Sequence, residues 1–186
     1  MPPKVKITRE NIISAAVDLV REQGEEAINA RTVAAALGCS TQPIFSNFST
    51  MEELRLAVVK RAEEISLAYV RSETEAGKYP PYKSSGMAYI RFAAEEGELF
   101  KLLYMRKRSK AETDSSSLQF ETAVEQVGRY TGLDRDEATR FHLELWALVH
   151  GIASMQVTSF LSLPEELVSN MMTDVFLGLK KQYGVE

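Results

Sequence analysis

The chain has 186 residues, of which 45% are hydrophobic and 26% are charged. This balance is typical of a globular protein with an apolar core, and it excludes a disordered chain, a collagen-like repeat and a disulfide-rich miniprotein. The one cysteine, Cys39, leaves no intramolecular disulfide to form, and no apolar signal segment follows the N-terminus, so we expect a cytoplasmic protein. Because the net charge is −4, any nucleic-acid binding must come from the placement of a few groups rather than from bulk charge.

One uncharged stretch, residues 145–164, approaches the length of a membrane span. It also contains His150, Gln156 and several hydroxyl side chains, which are costly to expose to lipid. We therefore expect a helix buried in a core or in a dimer interface, and no contact with a membrane.

The sequence predicts an all-α protein of about nine helices. Apolar residues follow helical spacing almost throughout, and the six prolines leave long stretches without a helix breaker. The predicted helices cover approximately residues 9–23, 30–37, 41–47, 50–71, 84–95, 98–108, 118–131, 134–161 and the residues from 164 onward.

Capping residues and breakers predict how the chain is divided. Five helices are each preceded by a side chain that can cap the N-terminus: Thr8, Asn29, Ser40, Thr50 (with Glu53) and Asp134 (with Glu137). The segment 77–81 contains Gly77 and two prolines and is the clearest internal boundary. We therefore expect a DNA-binding domain in residues 1–50, a connecting helix in 51–76 and a helical body in 77–186.

Residues 29–48 predict a helix-turn-helix motif, because two short helices meet at a turn too tight for a loop. Five apolar side chains can pack between these helices: Val33, Ala34, Leu37, Ile44 and Phe48. Four polar side chains, which can bond base edges and phosphates, then face outward: Thr41, Gln42, Ser46 and Asn47. Spacing alone leaves open a structural helical hairpin with an ordinary solvated face.

Three motifs follow one another along residues 7–60: TREN-II-AA-LV-EQG in the first helix, R-x-V-A-x-A-L-G-x-S across the turn and I-F-x-N-F-x-T-x-E-E-L into the fourth helix. In these motifs and their order, the segment resembles the N-terminal domain of the TetR family of transcriptional regulators. In the body, the run from Trp146 to Gly151 is similar to the W-x-x-x-H-G signature of one class of C-terminal domain in this family.

The resemblance implies a DNA-binding surface on and beside the third helix. Its expected residues are Arg31, Ser40, Thr41, Gln42, Pro43, Phe45, Ser46, Asn47, Thr50 and Met51, with Lys4 and Lys6 as an N-terminal arm. Phe45 stands where many members have Tyr, and Met51 stands where many have Lys. No Lys or Arg lies between Thr41 and Thr50, and residues 1–60 contain seven basic and seven acidic side chains. We therefore expect weak non-specific affinity for DNA and a shallow salt dependence.

Because bodies of this family usually bind small effectors, the resemblance also implies a ligand site. The candidate residues are Phe92, Phe100, Tyr104, Phe120, Trp146 and His150, and the absence of a charged cluster favours an apolar or amphipathic ligand. His142 and His150 lie about 12 Å apart along a helix, so we expect no metal site and no cofactor.

Taken together, these patterns predict a homodimeric regulator that binds a double-stranded operator and is not an enzyme. The last two helices carry more apolar surface than one body needs to cover, which predicts dimerisation through them. A repressor released from a pseudo-palindromic operator by an effector is what the resemblance implies. Two alternatives remain: a ligand-binding dimer that no longer reads DNA, and a helical-bundle enzyme, which the two histidines and one cysteine support poorly.

Overall fold

The computed structural model describes the backbone of residues 7–107 and 110–185, and the side chains of residues 7–107 and 119–185. In this part of the chain it contains nine α-helices and no strand, which confirms the predicted all-α class. The helices are α1 (Arg9–Gln23), α2 (Ala30–Ala36), α3 (Gln42–Asn47), α4 (Met51–Glu75), α5 (Pro81–Glu95), α6 (Gly97–Tyr104), α7 (Lys110–Thr131), α8 (Arg135–Val157) and α9 (Glu165–Gln182), with a 3-10 turn at Glu25–Ala27.

The helices form two compact units. The N-terminal unit comprises the residues up to Ala68 together with Glu96–Arg106, and the C-terminal unit comprises Tyr69–Glu95 together with the residues from Lys107 onward. The boundary therefore lies inside α4, and α6 belongs to the N-terminal unit although it follows α5 in the chain.

In the N-terminal unit, apolar faces of the first four helices meet in one core. The side chains that are fully buried there include Ile12, Ala16, Val20, Val33, Ile44, Leu54 and Val58. Helix α6 packs against α1, with Leu99 and Phe100 fully buried. At the start of α6, the Glu96 carboxylate accepts two hydrogen bonds from the Arg21 guanidinium of α1, at 2.8 and 2.7 Å.

In the C-terminal unit, α8 packs against α5, α7 and α9. One core cluster contains Val124, Val127, Ala138, Phe141, Leu145 and Leu179. Two tyrosines of α5 reach two histidines of α8: Tyr82 Oη lies 2.8 Å from His142 Nδ1, and Tyr89 Oη lies 2.8 Å from His150 Nδ1. Both histidines of the chain are therefore held in the same way.

The predicted start of α1 is confirmed, but the cap predicted for α3 is wrong. Thr8 accepts the Asn11 N–H and forms a capping box ahead of α1. Ser40 does not cap α3, which begins at Gln42 and has no side-chain cap on Thr41. Pro43 has no N–H to offer, and the Ile44 N–H is bonded to the Thr41 carbonyl, so a side-chain cap has fewer donors to serve at α3 than at α1.

Other predicted ends also shift, and the largest shift is that of α7, which begins at Lys110 rather than at residue 118. Helix α5 begins at Pro81 rather than at residue 84, because proline fits the first turn of a helix. Helix α6 ends at Tyr104, and Arg106 Nε bonds back to the Leu102 carbonyl. Helix α8 ends at Val157 rather than near residue 161, because the N–H groups of Phe160 and Leu161 turn back to the Met155 carbonyl.

Within the described residues, no helix combines the length and the apolar character that crossing a bilayer requires.

Candidate nucleic-acid interface

A tight turn joins α2 to α3. Asn29 caps α2 by accepting the Thr32 N–H at 3.0 Å. At the other end, Gly38 adopts φ +61°, a conformation that favours glycine, and the Cys39 N–H bonds back to the Ala34 carbonyl at 3.0 Å. The chain therefore reverses within Leu37–Thr41, which gives the helix-turn-helix arrangement that the spacing predicted.

Helix α3 has a buried face and an exposed face. Ile44 is fully buried, as is Phe48 directly after the helix. Gln42 and Ser46 are exposed, and Phe45 is 54% exposed. Ser40 is also exposed, whereas Thr41, Pro43 and Asn47 are half-buried. The predicted surface residues of α3 thus lie together, with Gln42, Phe45 and Ser46 outermost.

Two polar side chains of α3 bond to their own helix. Ser46 Oγ donates to the Gln42 carbonyl at 2.9 Å, and Asn47 Nδ2 donates to the Pro43 carbonyl at 2.8 Å. Each bond joins a side chain to the carbonyl four residues earlier, so that this donor hydrogen is used within the helix rather than offered to a nucleic acid.

Sequence reasoning missed Arg9, which fixes the C-terminal end of α3. Its guanidinium donates to the Asn47 carbonyl at 2.5 Å and lies over the Phe48 ring, 3.9 Å from its centroid. It also pairs with the Glu53 carboxylate of α4 at 2.9 Å. The contacts depend on how α1 crosses α3 and α4, so no local pattern around residue 9 indicates them.

Glu53 fixes the turn between α3 and α4. Its carboxylate accepts the Ser49 N–H at 2.8 Å, and Thr50 Oγ1 accepts the Glu53 N–H at 3.1 Å. The predicted capping box is therefore altered, because Glu53 bonds to Ser49 rather than to the Thr50 N–H. The hydrogen bond from the Ser49 backbone, followed by those from Arg9, lowers the pKa of Glu53. Thr50 is exposed and Met51 is half-buried at the start of α4.

Most arginines of the N-terminal unit are paired with carboxylates. The pairs are Arg9 with Glu53, Arg21 with Asp18 and Glu96, Arg55 with Glu25 and Glu52, Arg61 with Glu10 and Glu64, and Arg106 with Glu25. Within residues 7–68, Arg31 and Lys60 are the exposed cations without an ion pair. Lys4 and Lys6, the expected N-terminal arm, lie outside the described residues.

The six predicted ligand-binding residues are divided between the two units. Phe100 and Tyr104 lie on α6 in the N-terminal unit, with ring centroids 5.0 Å apart. In the C-terminal unit, Trp146 stacks on His150 at 4.9 Å and is 42% exposed. The other two contact different rings: Phe92 packs against Tyr69 at 5.5 Å, and Phe120 packs against His142 at 5.1 Å.

Metal binding finds no support in the described residues, where no three His, Cys, Asp or Glu side chains cluster closely enough to hold an ion.

Comparison with solved structures shows the same fold in several proteins. A TetR-like transcriptional regulator from Rhodococcus sp. RHA1 has a TM-score of 0.71 and 13% identity, and the match covers 99% of each chain. A protein of unknown function from Rhodococcus sp. RHA1 has a TM-score of 0.74 and 20% identity, with 95% of this chain and 97% of that one covered. SmeT, the repressor of the Stenotrophomonas maltophilia multidrug efflux pump SmeDEF, has a TM-score of 0.58 and 19% identity, with 93% and 90% covered.

Sequence comparison identifies the family. No curated protein matches the chain. The family model of the tetracyclin repressor-like C-terminal domain matches residues 83–175, which is half of the chain. The match falls on the helices that follow the helix-turn-helix motif, in the order that the family requires. The chain therefore belongs to the TetR family of transcriptional regulators.

Proposed function

We propose that the chain is a homodimeric repressor that binds a pseudo-palindromic operator through α3 and is released from it by a small effector. The observation that carries this proposal is the arrangement of α2 and α3. A tight turn holds α3 with Ile44 and Phe48 in the core and with an uncharged outer face of Gln42, Phe45 and Ser46. Such a helix fits the major groove, where base edges can be read.

Exposed apolar side chains on α8 and α9 support dimerisation through these helices. Leu167 and Leu177 of α9 are 46% and 56% exposed, and Leu143 and Trp146 of α8 are also exposed. A monomer leaves this surface in water, whereas a second copy related by a two-fold axis buries it. Binding of such a dimer to a pseudo-palindromic operator requires its two reading helices to lie one turn of DNA apart, about 34 Å, or a multiple of it.

Two helical glycines give independent support for the same face. A Cβ added at Gly151 of α8 or at Gly178 of α9 meets nothing within 4 Å. Glycine costs about 1 kcal/mol relative to alanine inside a helix, and among the residues that the structure describes no contact accounts for it at these positions. By contrast, a Cβ at Gly86 would collide with Met172 of the same chain. Close approach of a partner helix accounts for Gly151 and Gly178.

The proposed effector acts through chain segments that pass between the two units. Helix α4 continues from the N-terminal unit into the C-terminal unit at residues 68–69. The segment that contains α6 is connected along the chain to the C-terminal unit at residues 95–96 and 106–107. Glu96, which follows α5 directly, is bonded to Arg21 of α1. A displacement of α5 on effector binding would therefore reach α1. A coupling free energy of about 1–3 kcal/mol is enough to change operator occupancy appreciably.

The interior of the C-terminal unit favours an amphipathic effector. It combines aromatic rings, the buried Phe92 and the half-buried Phe120, with polar side-chain atoms that are buried without a partner among the described residues, including Glu144 Oε2 and Gln156 Oε1. A ligand with an apolar body and one or two hydrogen-bond donors would satisfy both kinds of surface.

SmeT, a repressor in its own organism, offers a precedent for repression on this fold.

The test of the proposal removes both amides of α3 with Gln42→Ala and Asn47→Ala together. Each good amide contact with a base contributes about 1–3 kcal/mol of discrimination, so we expect affinity for a selected operator to fall at least about tenfold. Fluorescence anisotropy measures the affinity, and sedimentation checks that the dimer is intact.

The matched control removes two exposed amides of the C-terminal unit, with Gln119→Ala and Gln182→Ala, and should leave operator affinity unchanged. Unchanged operator binding by the α3 variant would overturn the proposed surface. A dimer that recovers no DNA sequence but still binds small ligands would instead support the alternative in which the chain has lost DNA reading.

A further inference from the structure

We propose that α3 recognises adjacent A·T base pairs, with the Gln42 amide bonded to an adenine and the Phe45 ring packed against the methyl group of a thymine. This inference rests on the proposed function, because it requires that α3 enters the major groove. It adds which bases the helix selects and which side chain selects each of them.

Helix α3 lacks the charged side chains that read G·C base pairs. Guanine is read mainly by Arg or Lys at its N7 and O6 atoms, and the cytosine amino group is read by Asp or Glu. The segment from Thr41 to Thr50 contains none of these four residue types. The side chains presented by α3 therefore cannot make the strong contacts that define a G·C pair.

The polar side chains of α3 differ in their hydrogen bonds and in their exposure. Ser46 Oγ donates to the Gln42 carbonyl and Asn47 Nδ2 donates to the Pro43 carbonyl, so both direct a donor at their own helix. Asn47 is in addition half-buried. Gln42 is the exposed amide of α3, and a glutamine amide matches the N6 and N7 atoms of adenine in a bidentate contact.

Phe45 lies on the exposed face of α3 beside Gln42. Its ring is 54% exposed on the same face as Gln42, three residues further along the helix. Three residues of α-helix rise about 4.5 Å, close to the spacing of about 3.4 Å between successive bases of one strand. A side chain at this position reaches the base pair next to the one that Gln42 contacts. Phenylalanine has no hydrogen-bonding group, and the apolar group that the major groove presents is the thymine methyl.

The experiment replaces each thymine of a selected half-site in turn with deoxyuridine, which removes the methyl group and nothing else. Fluorescence anisotropy then measures the affinity of the whole chain for each duplex. At one position we expect a loss of about three- to fivefold, the effect of exposing one methyl group. With Phe45→Ala, the thymine and deoxyuridine duplexes should bind equally at that position.

Two further variants separate the two contacts. Gln42→Ala should keep the methyl effect while losing discrimination at the neighbouring adenine. Tyr130→Ala removes an exposed ring of the C-terminal unit and should change neither. Since Phe45 is exposed, its replacement should leave the thermal unfolding temperature nearly unchanged, and Phe45→Leu should retain part of the methyl effect.

Three results would overturn the inference. These are a wild-type protein insensitive to every methyl group, a methyl effect that persists in Phe45→Ala, and a selected half-site made of G·C pairs. Each can occur while sequence-specific operator binding remains intact. Failure to select any sequence would instead remove the proposed function, and this inference with it.

Discussion

At the scale of single residues, Arg9 is a positioning residue for the proposed reading helix. Its hydrogen bond to the Asn47 carbonyl satisfies an acceptor at the end of α3, and its ion pair with Glu53 connects that end to α4. The guanidinium also covers the Phe48 ring. Loss of these contacts would free the end of α3 to move without removing any group from its outer face.

We expect Arg9→Ala to weaken operator affinity about tenfold, the equivalent of one charge-assisted hydrogen bond. The matched control is Arg61→Ala, which breaks the pair with Glu10 in the same unit but does not contact α3. Anisotropy titrations with one operator compare the two. Equal affinities of the two variants would show that Arg9 does not position α3.

His142 makes folding depend on pH. Burial lowers its pKa below the usual value of about 6.5 for an imidazole. The unfolded chain therefore binds more protons than the folded chain, so the contribution of His142 is fully present above about pH 6.5 and is lost as the pH falls.

We therefore expect His142→Phe to flatten the fall in the free energy of unfolding between about pH 7.5 and pH 5.5. Tyr82→Phe removes the same hydrogen bond but keeps the imidazole, so this variant should retain the slope. Urea unfolding at a series of pH values measures both. A His142→Phe variant as pH-sensitive as the wild type in this range would contradict the assignment, because carboxylates such as Glu10, whose pKa is lowered by Arg61, take up protons only at lower pH.

At the scale of elements, the sequence predicts helices well where local signals decide their ends. Thr8 and Gly24 bound α1 as expected, because the cap and the left-handed residue act within a few positions. The prediction for α3 failed at Ser40, because the helix begins at Gln42 and Pro43 removes one of the N–H groups that a cap would serve. The predicted end of α8 near residue 161 was also wrong. Apolar spacing continues beyond Val157, but the N–H groups of Phe160 and Leu161 bond to the Met155 carbonyl and the helix has ended.

The proposed interface yields a prediction at the same scale. Gly178→Leu adds a side chain where a partner helix would lie, and overpacking costs about 1–3 kcal/mol. We expect the dimer dissociation constant to rise about 10- to 100-fold, as measured by analytical ultracentrifugation. Gln119→Leu places the same side chain on an exposed position of α7 and should leave the dimer intact. A Gly178→Leu dimer as tight as the wild type would place the interface elsewhere.

At the scale of the whole molecule, pairing of charges limits the attraction between the chain and DNA. Five arginines of the N-terminal unit are paired with carboxylates, and within residues 7–68 the exposed cations without an ion pair are Arg31 and Lys60. The sequence contains equal numbers of basic and acidic side chains in residues 1–60, but a count of charges does not show which cations are paired with carboxylates.

We expect the logarithm of operator affinity to fall with the logarithm of salt concentration with a slope of about −2 to −5, since few phosphates per dimer are neutralised. Anisotropy titrations between 50 and 300 mM potassium chloride, on the order of physiological ionic strength, measure it. Arg31→Ala should reduce the slope by about two per dimer, whereas Arg140→Ala, on an exposed position of α8, should not. A slope near −9, which corresponds to about ten phosphates, would contradict this picture.

The candidate site was predictable from sequence to the extent that it lies within one motif. Residues 29–48 gave the turn, the buried residues Ile44 and Phe48 and the exposed Gln42. Arg9 and the placement of α6 on α1 could not be predicted, because both depend on contacts between residues far apart in the chain. Membership of a family of transcriptional regulators sets aside the helical-bundle enzyme that the sequence alone had left open.

Selection of bound duplexes from a random DNA pool, at low and then at physiological salt, tests the central claim most directly. We expect an inverted repeat whose half-sites are centred one turn of DNA apart, or a multiple of it, with adjacent A·T pairs in each half. Recovery of no sequence at either salt concentration would contradict it.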